Sequence, residues 1–144
     1  MYSGSCLCNG VRYTITGQVS EFGYCHCASC RKASGSAFGA NIGVARDDVQ
    51  LSDPHNLCRE FESSPGKFRV FCSRCGSPLY AYLNRTPETI RMRLGSLDTA
   101  LGKTAKAHTF VADKADWEEI GGDLPQFDAW ADRRVLVQAG SRQD

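Results

Sequence analysis

The stretch GSCLCNGVRY, residues 4–13, sets two cysteines one residue apart, Cys6 and Cys8, at the entrance to an alternating run. On an extended backbone residues i and i+2 share a face, so both thiols can meet one partner. A disulfide between them would close a very small, strained ring. Their partner is therefore sought elsewhere in the chain. In FCSRCGS, residues 71–77, Cys72 and Cys75 form a C-x-x-C at the end of a strand, followed by Gly76. That pattern is a zinc knuckle, a turn that presents two thiolates to one metal. A knuckle supplies two of the four ligands of a structural zinc. Cys6 and Cys8 complete the set if the N-terminal strand lies beside the strand leading to Cys72. The expectation is one closed, tetrahedral site of Cys6, Cys8, Cys72 and Cys75, structural because no position is left for a substrate.

The segment CHCASC, residues 25–30, holds a second group, Cys25, Cys27 and Cys30. Three ligands leave the fourth position of a tetrahedral ion open, which is the arithmetic of a catalytic zinc. Three anionic sulfurs make such an ion a weak activator of water but a good dock for a second thiol, held as thiolate below its ordinary pKa of ~8.5. Cys58, His26 or His108 could close the group and turn it into another structural site. His26 lies between two ligands and points away from them on an extended chain. Cys58 is read as a buried small hydrophobe, with ligation as its rival reading, and His108 as a satisfied strand histidine.

Composition bounds what this chemistry can serve. The chain has 144 residues, 42% hydrophobic and 23% charged, enough for one domain over 1–144 with a real core. Its formal net charge is +1, and no basic stripe with interleaved aromatics is present, which excludes a nucleic-acid ribbon. No apolar run approaches the roughly 18 residues that span a bilayer, and the N-terminus lacks the basic and apolar regions of a secretory signal. Eight cysteines in such a chain point to a reducing, cytoplasmic setting where thiols are ligands or nucleophiles.

Short strands punctuated by glycine and proline dominate the local pattern. VRYTIT (11–16) alternates Val11, Tyr13 and Ile15 against polar neighbours, a half-buried strand. EFGYCHC and AFGANIGVA read as strands, the second with Gly39 and Gly43 at a bulge or a close backbone approach. LCREFES and KFRVFC flank an SSPG turn, and SPLYAYL and ETIRMRLGSL flank NRTPE. One turn of helix is predicted from about Ala28, and DKADWEEIG reads as an Asp-capped short helix or turn. The polar tail, 133–144, is expected to fray. The class is mainly β, built from antiparallel strands.

The ordered set GSCLCNGVRY, CHCASCRKASG, FCSRCGSPLY, RLGSLD, HTFVADKADW and GGDLPQFDAW resembles the glutathione-dependent formaldehyde-activating enzyme (GFA) family. That family includes the domain shared with centromere protein V. The likeness runs from about Ser3 to Phe127. It implies an Mss4-like fold of several small coiled antiparallel sheets organised around zinc. It also implies two Zn2+ per chain, one on Cys6, Cys8, Cys72 and Cys75 and one on Cys25, Cys27 and Cys30. The implied activity is a carbon–sulfur lyase reaction joining a thiol such as glutathione to a small aldehyde such as formaldehyde, or the reverse. The competing reading is a zinc-stabilised binding module with both ions structural. Glutathione carries two carboxylates, so Arg31 and Lys32, directly after Cys30, are candidates to grip it, against a reading as a solvated turn. Gly35 is a candidate for close approach to a ligand, against a reading as a plain turn. Trp117, Phe127 and Trp130 are read as capping the core or a pocket rim, with core packing as the expectation for all three.

Overall fold

The computed structural model describes residues 1–136, and two sheets account for most of it. β1 (Tyr2–Ser5), β2 (Arg12–Ile15) and β5 (Val49–Ser52) form an antiparallel three-stranded sheet in the order β1-β2-β5. The alternation in VRYTIT governs this sheet. Val11, Tyr13 and Ile15 are all buried, and Tyr13 hydroxyl reaches Ser96 Oγ at 2.6 Å. Gly4 is required beside it, because a Cβ there would run into the Tyr13 ring.

The larger sheet has seven strands in the order β10-β3-β4-β9-β8-β7-β6. β3 (Tyr24–Cys25) and β4 (Gly39–Ala45) flank the helix α1 (Ala28–Ser34) in sequence. β6 (Cys58–Ser64) and β7 (Lys67–Cys72) form a hairpin through Pro65 and Gly66, the latter left-handed at φ 77°. β8 (Pro78–Leu83) and β9 (Thr89–Arg93) follow as a second hairpin. β10 (His108–Thr109) pairs with β3 in parallel, an exception to the antiparallel expectation; every other named pairing is antiparallel.

Strand alternation divides the two faces of this sheet. Ile42, Val44, Val70, Ile90 and Met92 are buried, and all but Val70 join Val11, Tyr13 and Ile15 in one core cluster. The residues between them, Asn41, Lys67, Arg69, Arg91 and Arg93, take the other face. The core thus lies against one side of the sheet and a polar cleft against the other.

Several local readings change in the folded chain. EFGYCHC contributes a strand of only two residues, although the His26 N–H still donates to Thr109 O at 2.9 Å. In AFGANIGVA the close approach is real at Gly39, where a Cβ would stand 3.2 Å from Cys30 Cβ. Gly43 serves through its backbone instead, its N–H donating to Ser20 Oγ at 2.8 Å. DKADWEEIG is a turn whose first residue, Asp113, ends a 3-10 turn at Val111–Asp113. Trp117 and Trp130 do not pack in the core. They are 68% and 52% exposed, and Phe127 is half-buried. The segment of Phe127 is held by backbone hydrogen bonds, His108 N–H to Pro125 O and Phe127 N–H to His108 O, and Trp130 just beyond it packs on Phe110 at a pocket rim. The tail expected to fray opens with a short helix, α2 (Arg133–Leu136); the rest of it lies outside the described residues.

Truncating a side chain from the shared core tests this layering. Ile42→Ala is expected to cost about 2–5 kcal/mol, read as a lowered urea midpoint with an unchanged slope.

Candidate metal centres and the cleft

The four cysteines expected to form one site do come together. The Sγ atoms of Cys6, Cys8, Cys72 and Cys75 all lie within 4.8 Å of one another. The route differs from the expected one. β1 does not pair with β7, whose neighbours are β6 and β8. Cys6 and Cys8 sit not on a strand but in a tight turn after β1, closed by Asn9 N–H donating to Cys6 O at 3.0 Å, with Asn9 left-handed at φ 61°. That turn is carried from the small sheet onto the knuckle of the large one, where Leu7 N–H donates to Ser77 Oγ at 2.8 Å. On the knuckle side Gly76, at φ 77°, donates its N–H to Cys72 O at 2.8 Å.

The surroundings suit anionic sulfur. Val11 N–H points at Cys6 Sγ at 3.3 Å, and Cys75 Sγ lies 3.3 Å from Ser77 Oγ. Burial opposes ionisation of Cys75, yet the Ser77 hydroxyl and the Ser77 and Cys8 backbone N–H groups hold it down to about 5. Cys72, fully buried, is pushed up by that burial to about 11. Crowded thiols with unlike proton affinities, supplied with backbone donors, form a donor set for a soft tetrahedral cation.

Cys58 belongs beside this site and not beside the other. It stands opposite Cys72 in the β6–β7 register and outside both cysteine groups. Burial, Asp53, Cys72 and Cys6 push its thiol up to about 12, so it remains a neutral neighbour.

The second group also assembles. Cys25, Cys27 and Cys30 bring their Sγ atoms within 4.8 Å of one another. Cys25 ends β3, Cys27 is the N-cap of α1 and Cys30 lies in the first turn of that helix, its N–H donating to Cys27 Sγ at 3.4 Å. The Cys25 and Cys30 thiols hold Cys27 far below its ordinary value, while Cys25 is driven up by the same bonds. Among the described residues no histidine, carboxylate or further cysteine joins this group. His26, fully buried, turns away to place Nε2 2.8 Å from His108 Nδ1, and burial lowers both imidazoles so that they pair as neutral rings. Each of the three residues that could have closed the site is accounted for elsewhere.

The three thiols border a cleft of about 380 Å³, within the size range of small-molecule sites. Its aromatic side includes Phe110 and Trp130, edge to face at 4.8 Å. Phe110 is held left-handed at φ 53°, a conformation a bulky side chain rarely adopts. The basic side consists of Lys67, Arg69, Arg85, Arg91 and Arg93.

Of the residues expected to contact substrate, none lines this cleft. Arg31 spends its guanidinium on backbone carbonyls, Nε to His26 O at 3.4 Å and Nη2 to Asp113 O at 3.3 Å. Lys32 is exposed on α1. Gly35 is the left-handed C-cap of that helix at φ 68°, its N–H donating to Arg31 O at 2.8 Å. Of the cationic residues that do line it, Arg85 comes from the NRTPE turn, and Lys67 and Arg69 come from KFRVFC and Arg91 and Arg93 from ETIRMRLGSL, where they form the polar half of two alternating strands. The signal that could have found them was the repetition of Lys and Arg at alternate positions, 67 and 69, then 91 and 93.

The two cysteine groups are expected to respond differently to substitution. Cys75→Ser should lose metal and cooperative folding together, because metal binding to such a site is worth roughly 10–16 kcal/mol. Cys27→Ser should stay folded and lose one metal ion, read by native mass spectrometry beside circular dichroism.

Comparison with known proteins agrees with this arrangement. The family profile described as "Glutathione-dependent formaldehyde-activating enzyme" matches residues 1–113. A Halomonas elongata protein named "Putative glutathione-dependent formaldehyde-activating enzyme" is 31% identical over 128 residues, covering 83% of this chain and 81% of its own. An "Uncharacterized lyase" of Schizosaccharomyces pombe is 33% identical over 84 residues, 58% of this chain and 59% of its own. A Rhodobacter sphaeroides crystal structure is similar in fold, with a TM-score of 0.58 at 16% identity over 74% of this chain and 99% of that one. The architecture is the mainly β, Mss4-like one that the sequence implied. With its cysteine frame intact across both sheets and the profile spanning most of its length, the chain belongs to the glutathione-dependent formaldehyde-activating enzyme family.

Proposed function

We propose that this protein is a zinc-dependent carbon–sulfur lyase that adds a thiol to a small aldehyde, or cleaves the adduct, with glutathione and formaldehyde as the pair. The observation that carries the reading is the three-thiol group, open to a cleft and completed by no other described side chain. The family and the named relatives support lyase chemistry in general. Cys6, Cys8, Cys72 and Cys75 would hold one zinc for structure. Cys25, Cys27 and Cys30 would hold a second and leave it one position short of tetrahedral. Bound there, zinc would supply the positive charge that keeps a substrate thiol ionised at neutral pH.

The rest of the chemistry falls to the chain and the substrate. The substrate sulfur adds to the carbonyl carbon, forming the C–S bond. The π pair of the C=O moves to oxygen, which takes up the proton that the thiol released. No oxidant or reductant is needed, and cleavage is the same path reversed. The helix turn that carries Cys27 and Cys30 fixes the sulfur donors, and the Phe110–Trp130 pair supplies an apolar wall to the cleft.

The test is exchange NMR of formaldehyde with glutathione in the presence of catalytic amounts of zinc-loaded protein. Acceleration by the native chain, falling to background in folded Cys25→Ser, is the expected result. No acceleration by the native chain would sink the reading.

A further inference from the structure

The basic side of the cleft is built by register. Arg69 on β7, Ala81 on β8 and Arg91 on β9 stand in one row across three adjacent strands. Arg93 follows two residues after Arg91 on the same face and pairs with Asn41 on β4. Ala81 is the small residue between two arginines, and with only a methyl group it leaves the floor low where the cations converge. Like charges on adjacent strands repel. Burial first, and then the charge of Arg69, hold Arg93 down to about 10, and burial with the nearby Arg69 likewise lowers Lys67. Among the described residues the acidic one on the cleft wall, Glu21, is already engaged by Lys103 at 2.9 Å.

Two guanidinium groups in this crowd are incompletely used. Arg69 Nε donates to Ser63 Oγ at 2.9 Å, yet its Nη1 is buried with no partner. Arg93 Nη1 donates to Asn41 Oδ1, yet its Nη2 is buried with no partner. Buried N–H donors on a charged group are costly to leave unmade. In each case one edge of the guanidinium is fixed by a protein oxygen and the other is left over. A planar group so anchored is preorganised to give its remaining donors to a carboxylate.

Resting on the function proposed above, we infer that Arg69 and Arg93 are the specificity-determining residues of the cleft. They hold a carboxylate of the substrate while its sulfur lies at Cys25, Cys27 and Cys30. The substrate class is thereby a thiol that carries a carboxylate, and neutral thiols are poor substrates. The pair acts by positioning, since neither residue handles the reacting proton or the C–S bond.

The experiment measures binding, not turnover, by calorimetry on the zinc-loaded protein. S-methylglutathione, whose sulfur can release no proton, is compared with its diethyl ester, which lacks free carboxylates. The native protein is expected to bind the acid on the order of tenfold to a hundredfold more tightly than the ester. Arg69→Gln and Arg93→Gln should each erase most of that preference at unchanged zinc content, and Arg69→Lys and Arg93→Lys should restore part of it. Equal binding of acid and ester by the native protein overturns the inference. So does a preference that survives both glutamine variants, or inorganic phosphate displacing S-methylglutathione more strongly than succinate does. If the glutamine variants do not fold, the acid-to-ester comparison on the native chain decides alone. A carboxylate preference in a protein that does not accelerate thiol addition would leave this inference standing and remove the proposed reaction. Acceleration with no carboxylate preference would do the reverse.

Discussion

Everything in this fold is organised by the meeting of four cysteine sulfurs contributed by two different sheets. The turn holding Cys6 and Cys8 leaves the three-stranded sheet, and the knuckle holding Cys72 and Cys75 closes the end of β7 in the seven-stranded one. Cys6 and Cys72 are buried within the same apolar cluster as Tyr13, Ile42 and Met92, so the thiol site and the core are one structure. A cluster of this size contains few large side chains, and short strands have little ladder to hold them. A cross-link through a cation can supply what such a core lacks, because metal binding to a site absent from the unfolded chain is folding free energy.

The second cysteine group exploits the frame that the first one secures. β3 and α1 are short, and neither would hold its place alone. They are pinned by Gly39 passing close under Cys30, by β10 pairing with β3, and by the buried His26–His108 contact behind them. The histidines matter here for what they do not do. Each spends a ring nitrogen on the other, and Cys58 lies beside the opposite site, so the three thiols remain three. A site closed by a fourth residue would be another brace. Left at three, it faces a cleft with something to bind.

That cleft shows how one sheet can serve two purposes. The even positions of β9, Ile90 and Met92, go to the core, and the odd ones, Arg91 and Arg93, go to the cleft. β7 does the same with Val70 against Lys67 and Arg69. The period of two that makes the sheet half apolar makes the other half available for charge. Nothing in the fold forces that charge to be positive. Its concentration on one face, against the repulsion it costs, is best understood as complementarity to an anion.

The cysteine pairs and triplet that could hold metal, the mainly β class and the alternating strands were legible in the amino-acid sequence, because each rests on spacing along one continuous segment. C-x-C, C-x-x-C and alternation at period two are local, and local geometry follows from bond lengths and backbone sterics. Tertiary structure alone decided the route by which the four thiols meet, through a turn after β1 and not through a β1–β7 pairing, that Cys58 lies beside the closed site, and that His26 and His108 occupy each other. It also decided that Arg31 would be consumed by backbone carbonyls while Arg69 and Arg93, distant in sequence from Cys25, Cys27 and Cys30, border the same cleft. Those facts depend on strand order and register, which bring together residues dozens of positions apart. No periodicity within a segment encodes that, and so the cysteine groups could be read from the sequence whereas the residues that face them could not.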